Sequence, residues 1–176
     1  MAQSMGFGIL ASPNAVYKRK NRWLMKIDGI ADDGTSALPP AKGARPSLTF
    51  KEMEAQHLNE TIYYPSKTEW KPIQLTLYDL NISSGGCTNK GKKVFDWVKK
   101  VYDPENGGWV APCDVEFKKD CRLEMYDGCG EILETWIFEN AWPQVVEWGE
   151  LDMSEGNIVM LDITLRYDRA YLVNQN

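Results

Sequence analysis

Apolar and polar residues alternate with a period of two along most of this chain, and the breaks in that rhythm mark its architecture. In residues 21–28 (NRWLMKID), Trp23, Met25 and Ile27 oppose Leu24, Lys26 and Asp28, which predicts a first strand. Residues 29–44 carry Asp, Gly and Pro at turn positions and read as a surface loop. Strand-like runs at 48–51 and 73–78 then bracket a polar stretch with a β-prone patch, Thr61-Ile62-Tyr63-Tyr64, broken at Pro65. A segment of β-formers without a helical stripe predicts a long antiparallel excursion over about residues 46–70. An isolated two-stranded ribbon is marginal in water. The arm therefore needs a partner, foremost another copy of the same chain, or else a place as a lid over its own core.

Residues 81–90 form a flexible connector whose Gly85-Gly86 pair lacks the context of a phosphate cradle. The period then changes. Val94, Trp97, Val98 and Val101 stand at i, i+3, i+4 and i+7 with lysines opposite, which predicts one helix over 90–103, stopped at Asp103-Pro104. From residue 112 onward the chain reads as strand after strand. Residues 119–127 place Cys121, Leu123 and Met125 on one side, Asp127-Gly128-Cys129-Gly130 turns, and residues 131–139 return with Leu133, Thr135 and Ile137 against Ile132, Glu134, Trp136 and Phe138. Two further strands are expected over 141–149 and 157–168. In the latter Val159, Leu161, Ile163, Leu165 and Tyr167 face one way. The fold class is mainly β: a small antiparallel barrel or sandwich with one flanking helix and a long protruding hairpin. One domain spans residues 1–176, with 1–13 as a loose N-terminal arm.

Composition narrows the chemistry. A net charge of −5 without a surviving basic block removes the electrostatic footprint of a nucleic-acid reader. Cys87, Cys113, Cys121 and Cys129 form no CxxC pair, and His57 is the only imidazole, so neither a zinc site nor a cysteine nucleophile with its base is suggested. The thiols are expected to be reduced and mostly buried. No spacing selects a catalytic carboxylate pair, since acids on alternating strand faces are usually solvated, and no cofactor fingerprint occurs. The N-terminus has no signal-peptide pattern, and no run approaches the ~20 apolar residues of a membrane span. Trp70, Trp109, Trp136, Trp142 and Trp148 are candidate stacking platforms for sugars or bases, but strand alternation around Trp136 favours a core or interface role. An assembly protein is the class that remains, with a sugar-binding β module and an enzyme as rivals.

Several stretches resemble the tail tube protein of contractile-tailed bacteriophages: NAVYKRKNRWLMKID (14–28), the whole of 45–79, VFDWVKKVYDP (94–104), YDGCGEILETWIFENAWPQVVEWGELD (126–152) and LDITLRYDRAYL (161–172). They follow the family's order; the N-terminal arm and residues 32–43 fit less well. The resemblance implies a barrel subunit of homohexameric rings, stacked into a tube through which phage DNA passes. A tail sheath, a baseplate and a tail terminator are the implied partners, and the virion tail the location. A baseplate tube initiator or the tube of a phage-derived injection machine shares the pattern. Inter-subunit contact is implied for the hairpin, with Phe50, Glu52, Glu54, His57, Leu58, Asn59, Glu60, Tyr63, Tyr64 and Trp70 as candidate contacts. Asp162 is the candidate lumen residue.

Overall fold

The computed structural model describes residues 18–30, 40–82, 88–109 and 117–173. Expectations for residues 1–13, for Gly85-Gly86, and for Cys87 and Cys113 lie outside them. In chain order the elements are β1 (Trp23–Ile27), β2 (Pro40–Gly43), β3 (Ser47–His57), β4 (Glu60–Lys71), β5 (Ile73–Tyr78), β6 (Asn81–Ile82), β7 (Thr88–Asn89) and α1 (Lys90–Val101), followed by β8 (Tyr102–Asp103), β9 (Gly108–Trp109), β10 (Lys119–Tyr126), β11 (Ile132–Glu147), β12 (Met160–Arg166) and β13 (Arg169–Val173).

One strand joins the two halves. The first part of β11 pairs with β10 and β13, and β10 with β1; its last part pairs with β12, followed by β5 and β2. All these pairings are antiparallel. The handover falls at Asn140, which takes φ 55° and donates its backbone N–H to Asp120 Oδ1 at 3.1 Å. A left-handed residue inside a strand bends it, and Asn tolerates that region better than most side chains. The two sheets thus share a core between them. Met25, Ile27, Cys121, Leu123 and Phe138 come from the first sheet, and Leu75, Leu77, Leu161, Ile163 and Leu165 from the second. From α1, Val94 and Trp97 enter the same core, and the Trp97 indole N–H donates to the Phe117 carbonyl at 2.6 Å.

Several expectations need amendment. Of the barrel and sandwich alternatives, the described strands form an open arrangement, because β1 and β2 end the order without pairing to each other. The loop expected over 29–44 contains the edge strand β2, which pairs with β5 despite its Pro and Gly; edge strands are where such residues are tolerated. The helix ends at Val101, two residues before its predicted stop. Tyr102 and Asp103 instead pair with Trp109 and Gly108, and the Asp103 carboxylate accepts from the Glu105 backbone and the Asn106 amide. The strands expected over 131–139 and 141–149 are one continuous β11, since Asn140 bends the ladder without ending it. The strand expected over 157–168 is β12, from Met160 to Arg166, and a further strand, β13, follows directly after Tyr167-Asp168. Cys121 is buried, and burial pushes its thiol well up; Cys129, in the β10–β11 turn, is exposed.

Phe138 is fully buried and stacks edge-on against Tyr167 at 5.0 Å. Replacing it by alanine is expected to cost about 3–5 kcal/mol, read as a lowered midpoint in urea unfolding of the isolated subunit.

Candidate assembly surface

The predicted excursion is a true two-stranded ribbon. β3 and β4 pair from Ser47↔Lys71 out to His57↔Glu60, and no other strand is hydrogen-bonded to them among the described residues. A two-residue turn closes it at Leu58-Asn59, with Leu58 at φ 54° and 94% exposed. The register shifts between Phe50↔Thr68 and Glu52↔Pro65, where Pro65 has no N–H to give to a ladder. This shift changes which side of the ribbon is apolar. Nearer the body the pairs Leu48↔Trp70 and Phe50↔Thr68 carry the large apolar groups. Beyond the shift Met53↔Tyr64 and Ala55↔Ile62 do so, while the interleaved pairs Glu52↔Pro65, Glu54↔Tyr63 and Gln56↔Thr61 are more polar.

All the candidate contact residues lie on this ribbon. Phe50, Glu52, Glu54, His57, Leu58, Asn59, Glu60, Tyr63 and Tyr64 are exposed, and only Trp70, at the root, is partly buried. Phe50, Met53 and Tyr63 each expose more than half of their surface. An arm of this kind lies over no core of its own, so the lid alternative does not hold. Such a run of exposed large apolar groups marks an interaction surface.

The root is held by aromatic and charged groups of the body. Trp70 packs on Tyr167 at 6.0 Å, and Tyr167 packs in turn on Phe138. The Tyr167 hydroxyl is buried beside the Ser47 backbone in a geometry short of a full hydrogen bond. Burial pushes that phenol above its usual range. Arg166 reaches Glu69 at 3.9 Å, a weak exposed contact.

The stronger anchor is Glu134 on β11, whose carboxylate is 95% buried, or 5% exposed. Lys18 donates to it, the Trp136 indole N–H donates to it, and the Arg45 guanidinium stands 3.6 Å away. Arg45 also directs a second nitrogen at Met125 Sδ, 3.0 Å away. Since Arg45 lies just before β3 and Lys18 just before β1, one carboxylate ties the arm and the N-terminal end to the body. Burial raises the Glu134 pKa, but the hydrogen bonds from Lys18 and Trp136 and the nearby cations outweigh it, leaving the group below the usual carboxylate range. Glu124, equally buried, is held in the same way: burial raises it, while Lys26, at 2.7 Å, and the Tyr126 hydroxyl bring it down. The expectation that strand acids are solvated fails for these two. For Glu134 a signal was present, because it alternates in phase with Trp136 and Phe138.

Asp162 lies on the exposed face of β12, accepts from the Thr76 hydroxyl, and is flanked across strands by Glu147 and Thr76. With Gln74 and Thr164 these groups line a shallow polar concavity of about 250 Å³. The tryptophans make no common platform. Trp148 packs on Phe95, Trp109 on Tyr102, and Trp70 on Tyr167, each at a separate place.

Glu134→Gln is expected to destabilise the subunit by about 1–3 kcal/mol, because Lys18 and Arg45 are half exposed and rehydrate when their partner is lost. Both depressed carboxylates contribute stability that is complete above the unfolded value of about 4.3 and is lost as pH falls through their lower folded values. Acid unfolding followed by tryptophan fluorescence should therefore show a smaller pH dependence in Glu134→Gln than in the parent. Tyr167→Phe should be neutral or slightly stabilising in thermal melts, since the hydroxyl it removes is poorly satisfied.

Comparison with known proteins places this geometry. The family model described as T4-like virus tail tube protein gp19 matches residues 20–170. A tail tube protein of Serratia phage KSP90 is 27% identical over 108 residues, 61% of this chain and 58% of that relative; the match thus spans little more than half of the relative's length. Among solved structures, a chain of the anti-feeding prophage tube-terminating cap aligns with TM-score 0.66 and 18% identity, covering 96% of this chain and 100% of that one. A chain of the sheath–tube complex of an extracellular contractile injection system in its extended state aligns with TM-score 0.62 and 19% identity, covering 97% and 99%. At these identities the structural likeness speaks for the fold.

Proposed function

This chain belongs to the T4-like virus tail tube protein family, and on that premise we propose that it is the repeating subunit of a phage tail tube, built as homohexameric rings stacked within a contractile sheath. The observation that supports this most is the β3–β4 ribbon, which exposes Phe50, Met53, Ile62, Tyr63 and Tyr64 with nothing among the described residues to cover them. A neighbouring copy covers them, and heterologous contact of this kind closes into rings or propagates. Tail sheath, baseplate and tail-terminator proteins are the further partners, in keeping with the sheath–tube and cap assemblies named above. The location is the virion tail.

The exposed face of the second sheet, with Gln74, Thr76, Glu147, Asp162 and Thr164, is the proposed lumen wall. It is polar and acidic, and a chain of net charge −5 repels phosphate. Phage DNA passes such a wall without sequence-specific grip. A density map that puts Asp162 in a ring-to-ring or sheath contact overturns this assignment.

Negative-stain microscopy of the purified chain across a concentration series is the direct test. Stacked rings or hollow tubes are expected, and monomers at every concentration, with or without a baseplate template, would sink the proposal. Deleting residues 54–67 should leave a folded, soluble body that forms no tubes, and tubes of wild-type length from the deletion variant would show that the arm is not the coupling element.

A further inference from the structure

Two separate places on the second sheet carry opposite charge. At one edge β2 flanks the mouth left between the sheets, a groove of about 620 Å³. Its floor is apolar, formed in part by Trp23, Leu123 and Met125, and its rim holds Lys18, Lys20, Lys42 and Arg45. Lys18 and Arg45 are engaged with Glu134, whereas Lys20 and Lys42 are exposed and make no ion pair among the described residues. The other place is the end of the β11–β12 pair, where residues 148–159 connect the two strands. There Glu150, Asp152 and Glu155 stand beside Leu151, 86% exposed, and Met153, which is fully exposed. Those carboxylates also make no ion pair among the described residues: Asp152 only accepts from Ser154, and Glu155 from the Asn157 amide.

The entry of this segment is fixed. Gly149 takes φ 82°, and a Cβ there would stand 2.3 Å from the Met160 carbonyl oxygen, so the chain turns back tightly against the start of β12. The acidic, apolar-tipped segment is held at the end of the β11–β12 pair and shares no residue with the mouth beside β2.

We propose that residues 148–159 of one copy seat in the mouth beside β2 of the next, so that the partner of both surfaces is a second copy of this chain. Both halves of the match are complementary: acids meet the unpaired Lys20 and Lys42, and Leu151 and Met153 meet the apolar floor. Two different surfaces at separate places on one chain make a heterologous contact, which leaves each copy with one surface of each kind to offer. The inference rests on the assembly reading above but is separate from the ribbon, since neither surface includes β3 or β4.

Charge exchange tests it. Lys20→Glu with Lys42→Glu, and separately Glu150→Lys with Glu155→Lys, should each raise the concentration needed for assembly at least about tenfold, read by sedimentation velocity. The fourfold variant carrying all these changes should recover to within about threefold of wild type, with unchanged melting in all three confirming folding. Either parent assembling as wild type, or a fourfold variant no better than its parents, overturns the contact while wild-type tubes leave the assembly reading standing. A wild-type chain that stays monomeric throughout overturns both. Loss of duplex-DNA retention in Lys20→Glu/Lys42→Glu with assembly untouched assigns the groove to a polyanion, and also overturns it.

Discussion

A two-stranded ribbon with no core must take its direction from its root. β3 and β4 are 11 and 12 residues long, so the arm reaches roughly 35 Å from the body, and a tilt of about 10° at the root moves its tip by about 6 Å, more than one strand spacing. Contacts far out on the arm are therefore specified by contacts at its base. The base supplies two constraints at different heights. Trp70 lies on Tyr167, which packs on Phe138 in the core, and Arg45 lies beside Glu134, which belongs to the strand that crosses both sheets. Two fixed points on a ribbon determine its angle; one would leave it a hinge.

The choice of a buried carboxylate for one of these points follows from the same need. An apolar cluster at position 134 would bury as much area and cost less desolvation. It would also tolerate sliding, because apolar contact has no preferred direction. A carboxylate that receives Lys18, Arg45 and the Trp136 indole is satisfied in few geometries. For the proposed contact between copies, the arm is thereby kept exposed and aimed in advance, so less ordering entropy is lost on binding.

Much of the architecture was legible in the sequence, because period-two alternation reports burial directly. The last large strand shows this: Leu161, Ile163, Leu165 and Tyr167 all face the core, and Met160 and Asp162 do not. The ribbon was legible for the complementary reason, that strand-forming residues without a buried partner set have no inside. What stayed hidden depends on non-local pairing. β2 carries Pro, Lys and Gly and is a strand only because β5 offers it a ladder; β13 follows a Tyr-Asp pair that elsewhere ends strands. Asn140 looked like a break and is a bend. Glu134 was visible as an acid in the core-facing phase, but its cationic partners, over 80 residues distant, were not.

The distribution of adhesive groups bears on when such a chain assembles. The ribbon presents its apolar side chains on a narrow, twisted strip, and its two sides change character at the register shift near Pro65. A strip of that shape cannot stack flat on an identical strip over its whole length, which disfavours arm-to-arm pairing of two free subunits. Net charge of −5 adds repulsion between free copies in solution. In the proposed tube, once a first ring holds neighbours in place, each incoming subunit meets more than one surface at a high effective concentration, and contacts too weak to hold a dimer suffice to extend a stack. Modest adhesion at several separate places, with stiff geometry between them, favours growth from an existing end over association of free subunits.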